Sequence, residues 1–169
     1  MTRKKWIIVS IIAGVLSAGI KLHGYVSKNT EKAEIVCSYS VSEDKWTADP
    51  ENGNLFRHNK ISGAGMAIEE RHIGVNYSDT GFYVQFMLDE MKKSYADRSM
   101  TCETGESFEK DGTEWFTLYA ENGEGIKILQ NTAAKGDGIY VVIYIAAEDV
   151  YEAGLPDFRE VFDSFKFSE

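Results

Sequence analysis

The chain has 169 residues, with 27 acidic against 18 basic groups, a 43% apolar share and a 12% aromatic share. That length suits one domain, and the apolar content excludes a disordered chain. A net charge of −9 argues against nucleic acid, whose phosphates need a basic face.

The charge is unevenly placed. Residues 1–29 hold five basic groups (Arg3, Lys4, Lys5, Lys21, Lys28) and no acidic one, so the other 140 residues carry 27 acidic against 13 basic, or −14. Arg3, Lys4 and Lys5 precede an uncharged run from Trp6 to Ile20, and Lys21 ends it. Positive charge resists translocation, which keeps the extreme N-terminus cytoplasmic and sends the residues after Lys21 outward. Fifteen helical residues rise about 22 Å, short of the ~30 Å hydrocarbon core. That length fits a signal-peptide h-region, while Trp6 and a snorkelling Lys21 extend it towards an anchor. Residues 1–29 are thus expected to be a signal peptide or a single-pass membrane anchor with its linker. Residues 30–169 are expected to form the extracytoplasmic domain.

Ile35, Cys37, Tyr39 and Val41 alternate with Ser38 and Ser40, the period of a half-buried strand. Ser42 to Gly65 reads as loop-rich, broken by Asp49-Pro50, Asn52-Gly53 and Gly63, and Met66–Ile68 as a short strand. Thr80 caps a helix expected over about 80–96, because Val84, Met87, Leu88, Met91 and Tyr95 recur at 3, 4 and 7 spacing. Asp111-Gly112, Asn122-Gly123 and Gly136 to Gly138 then separate apolar stretches, and such pairs favour tight reversing turns. The expectation is a C-terminal four-strand meander, about 100–109, 114–121, 125–133 and 138–147. Trp115–Tyr119 and Ile139–Ile145 are apolar on both parities, as in strands covered on both faces. Pro156 marks a helix start, and Phe158, Val161, Phe162 and Phe165 form its apolar stripe. The fold class is α+β, an antiparallel β-sheet sandwiched between helices.

This order resembles the Mog1/PsbP-like group of small α/β/α sandwich domains over about residues 33–167. The resemblance rests on an early strand followed by Trp46, on Gly112 to Trp115 opening a strand, and on Gly138 to Tyr140 followed by Tyr144. The ending Phe158, Val161, Ser164, Phe165, Lys166 and Phe167 completes it. These are packing residues, so no functional residue carries over. The resemblance implies a non-enzymatic accessory or binding module with diverse partners.

Cys37 and Cys102 are the only thiols. In an exported chain they read as a disulfide, worth roughly 4 kcal/mol for a loop of about 65 residues. Two unpaired buried thiols acting as small hydrophobes are the other reading. His58 and His72, with Glu69, Glu70 and Arg57, form the one polar cluster of metal-ligand type, but their spacing matches no zinc signature. No nucleophile elbow and no phosphate-binding glycine loop occurs. The expectation is therefore no enzyme, no metal and no cofactor. The chain is expected to bind a protein or cell-envelope partner, reaching the membrane through its N-terminal helix. Trp46, Arg57, His58 and His72 are the candidate binding residues, on the loops from Ser42 to Asn76. A small-molecule or metal-binding exported protein using those same loops is the second reading.

Overall fold

The computed structural model describes residues 36–72, 80–136 and 138–168, so the expected export segment lies outside the described residues. Among those residues, no helix is long and apolar enough to cross a membrane. The elements run β1 (Val36–Ser38), β2 (Trp46–Ala48), β3 (Leu55–His58), β4 (Ala64–His72), α1 (Thr80–Ala96) and β5 (Met100–Thr104). They continue β6 (Phe108–Lys110), β7 (Thr113–Asn122), β8 (Ile126–Lys135), β9 (Gly138–Ala147), α2 (Glu148–Ser164) and β10 (Lys166–Ser168).

One eight-stranded sheet carries the fold, in the order β2-β3-β4-β9-β8-β7-β5 with β6 also on β7. All its pairings are antiparallel. The sheet is therefore not the C-terminal four-strand meander expected. Three further strands continue it beyond β9, and the first expected strand is split into β5 and β6. The stretch read as loop-rich supplies two of those strands, β2 and β3. They are short and lack alternation, so their existence depends on pairing with β4 rather than on local pattern.

The turns follow their chemistry. Asp111 and Gly112 both have positive φ (51° and 68°) and join Lys110 to its partner Thr113, the two-residue turn that matches strand twist. Asn122 and Ile126 face each other across the next hairpin, where Gly125 takes φ 75°. The Asn122 side chain accepts the N–H groups of Glu124 and Ile126 there.

β9 is buried from end to end because both its faces are covered. Ile139, Val141, Ile143 and Ile145 pack with Val84, Met87, Leu88, Met91 and Tyr95 of α1. Tyr140, Val142, Tyr144 and Ala146 pack with Tyr151, Leu155, Phe158, Val161 and Phe162 of α2. Two helices thus flank an antiparallel sheet, one to each face. α1 spans the residues its spacing predicts. α2 does not start at Pro156, which lies inside it. The helix opens instead at Glu148 and Asp149, whose carboxylates suit the positive end of the helix dipole. Beside this sandwich, β1 pairs with β10, Val36 opposite Ser168 and Cys37 opposite Phe167.

Candidate functional site

Of the residues singled out from the sequence, Trp46 and His58 are built into the fold, while Arg57 stays exposed. Trp46 and His58 face each other across the β2–β3 ladder, their rings edge to face at 4.8 Å. The His58 side chain is only 2% exposed. Its Nδ1 accepts the backbone N–H groups of Lys60 and Ile61 at 3.2 and 3.1 Å. The ring proton therefore sits on Nε2 and is donated to Asp157 Oδ2 at 2.8 Å. Lys45 completes the group, with Nζ 2.8 Å from Asp157 and 2.7 Å from Glu160. Hydrogen bonds from Lys45 and then His58 hold the Asp157 carboxyl below its ordinary value, and those to Asp157 and Glu160 raise Lys45. With both nitrogens engaged, His58 has no lone pair left to take a proton from a substrate. The group fastens β2 and β3 to α2.

Arg57, on the opposite parity of β3, pairs with Asp49. His72 lies far from His58. Arg57 faces Gly65, which sets His58 level with Ala64, and His72 stands at the other end of β4 opposite Gly138. Eight strand residues separate these levels, about 27 Å at the usual rise. The two histidines do not converge, and no cluster of three potential ligands occurs among the described residues.

The expected disulfide is not formed, since both thiols are free. Cys37 packs on the α2 side of the sheet and Cys102 on the α1 side, so the sheet stands between them. Each thiol points into a core, but the two cores lie on opposite faces of the sheet. Cys37 donates to Glu70 at 3.3 Å. Burial, then that hydrogen bond and the Glu70 charge, push the thiol up to about 12. Burial likewise raises Cys102.

An open cleft of about 330 Å³ lies elsewhere, where the sheet runs out past α2. Thr101 and Glu103 of β5, Tyr119 and Glu121 of β7, Lys127 of β8 and Tyr151 of α2 line it. Strand register explains the grouping. Glu103 faces Tyr119, and Thr101 faces Glu121, which in turn faces Lys127. Period-2 alternation turns all five towards α2, but α2 reaches over them with only Glu148 and Tyr151 of its first turn. Tyr119 is 42% exposed, which corrects the expectation that its strand is covered on both faces. Gly105 makes room for the Tyr119 ring, since a Cβ there would stand 2.8 Å from Cε2. Burial pushes Tyr151 up to about 12, with the neighbouring Tyr119 and Glu152 adding to it. Lys127 is met by Glu148 at 3.0 Å. The parity of Thr101, Glu103, Tyr119 and Glu121 was readable in the sequence. What was not readable is that α2 stops short of them.

The sandwich so described is a PsbP-like fold. The chain covers 84% of its own length and 98% of the other on the solution structure of cyanobacterial PsbP (CyanoP) from Synechocystis sp., at 12% identity and TM-score 0.50. Two further solved structures align more loosely. A protein of unknown function from Pseudomonas aeruginosa is 11% identical, with 82% of this chain and 86% of that chain covered and a TM-score of 0.44. A protein from Bacteroides thetaiotaomicron is 14% identical, with 79% and 45% covered and a TM-score of 0.43. No protein-family model and no curated protein matches the sequence.

Proposed function

We propose that this chain is a non-catalytic accessory module that acts by contact with another protein at the outer face of a membrane. Residues 1–29 carry it there, as a cleaved signal or a retained anchor. The observation that carries the reading is the state of the chemical residues. His58 has both nitrogens engaged, the two thiols are held protonated, and an exposed tyrosine stands over an open cleft. A concave patch with aromatic walls suits recognition rather than turnover. The PsbP-like fold is compatible with that role.

The test is formaldehyde crosslinking in cells that make the tagged full-length chain, followed by recovery from membranes and by protease treatment of intact spheroplasts. The expected result is one reproducible protein adduct and a domain digested from outside. A domain protected from external protease, or no adduct in repeated preparations, overturns the proposal.

A further inference from the structure

The cleft adjoins an edge of the sheet, and the two together describe a ligand. β5 ends the strand order. Gly105 N–H donates to Thr117 O, so the residues of its parity, Thr101 and Glu103, turn their backbone groups towards β7. By alternation the N–H and C=O groups of Cys102 and Thr104 point the other way, where no strand pairs with them among the described residues. An exposed edge of this kind is a template for an added strand.

Its chemistry selects what is added. Side chains of an added strand lying opposite Thr101 and Glu103 enter the cleft face. One strand further in, they meet the exposed ring of Tyr119, about 10 Å from the new strand at the usual spacing. Glu103 and Glu121 flank that ring, and Lys127 has its charge met by Glu148. A second copy of β5 would bring Glu103 against the acidic rim of its twin, which like-charge repulsion disfavours. An arginine or lysine fits, with its stem along the ladder, its charge between the carboxylates and its head over Tyr119.

We infer that the β5 edge and its cleft take an extended basic segment of a partner protein, paired to β5 by its backbone and held by a cationic side chain against Tyr119, Glu103 and Glu121. This rests on the accessory reading and names the chemistry of its partner.

The test uses the full-length chain in detergent and a short fluorescein-labelled peptide of alternating arginine and valine, read by fluorescence anisotropy. The peptide is expected to bind, with affinity falling as salt rises. Replacing arginine by glutamate in the peptide, or placing a proline at its centre, should abolish binding. Tyr119→Ala should weaken it about fivefold, and the double variant Glu103→Gln/Glu121→Gln at least as much. Circular dichroism of each variant checks that it is folded. Equal affinity in wild type and folded variants overturns the inference. So does equally tight binding of free arginine, or a concentration-dependent dimer that the same variants abolish. The two proposals fail separately. A crosslinked adduct that persists unchanged in Tyr119→Ala and in the double variant leaves the accessory reading standing and removes the cleft from it.

Discussion

Cys37 shows how a single side chain is silenced by its surroundings. Its thiol is half-buried against the tyrosine-rich α2 face and faces a carboxylate. A thiolate there would lose solvation and meet a like charge, so the reactive form is suppressed. With a value of about 12 against an ordinary 9.0, alkylation at mildly alkaline pH should be slower than for a free thiol by roughly a hundred- to a thousandfold. Iodoacetamide labelling followed by mass spectrometry checks this. Both thiols should resist in the native protein and react at once in denaturant, with no prior reduction needed. Gly154 is the second residue-scale lesson. A Cβ at this helical position would collide with the Tyr144 hydroxyl, which is fully buried and donates to the Tyr151 carbonyl at 2.9 Å. Alanine improves helix propensity by about 1 kcal/mol, yet overpacking a closed interface costs about 1–3 kcal/mol. Gly154→Ala is expected to destabilise in urea unfolding. The loss should shrink in a Tyr144→Phe background, where the colliding atom is gone.

Among the elements, β2 and β3 depend most on partners outside themselves. Three and four residues long, they are tied to α2 by the Lys45–Asp157–His58 group, and that tie has a pH signature. The Asp157 carboxyl is held below its ordinary 3.8 in the folded protein. Its contribution is therefore complete above that value and is lost as pH falls through the lower folded value. Asp157→Asn should lower the thermal midpoint at neutral pH, and the gap to wild type should close on acidification below about pH 3.8. Differential scanning calorimetry across that range checks it, and a gap independent of pH would assign the tie to packing alone. α2 illustrates a different failure of local reading. Pro156 resembles a helix start because its fixed φ and missing N–H suit one. Here packing of Tyr151, Leu155 and Phe158 overrides the proline and the helix begins at Glu148.

At the scale of the molecule, what could be read from the sequence is what local periodicity encodes. The 3-4-7 spacing of α1 and the double-sided apolar run of β9 each specify an element whatever surrounds it. Together they required helices on both faces of an antiparallel sheet. The sheet's full width escaped, because Trp46 meets His58 and Phe56 meets Met66 through register that no local pattern displays. The candidate site suffered more. His58 looks like a surface residue by type and position, and the distant Asp157 carboxylate and the Trp46 ring across the ladder help to bury it. Tyr119 looks like core, and only the reach of α2 exposes it.

The pairing of Val36 with Ser168 has a geometric result. The described chain enters and leaves at one place, and the Phe167 ring there lies 4.6 Å from that of Tyr140, two residues into β9. The cleft borders the other end of that strand, since Lys127 faces Ala146. Six residues of β9 separate the two levels, about 20 Å along the sheet. A tether attached through the segment before Val36 would hold the domain at the Tyr140 level of β9, with β5 at the far level. In that arrangement the sheet would act as a spacer that sets the stand-off of the proposed docking edge from the point of attachment.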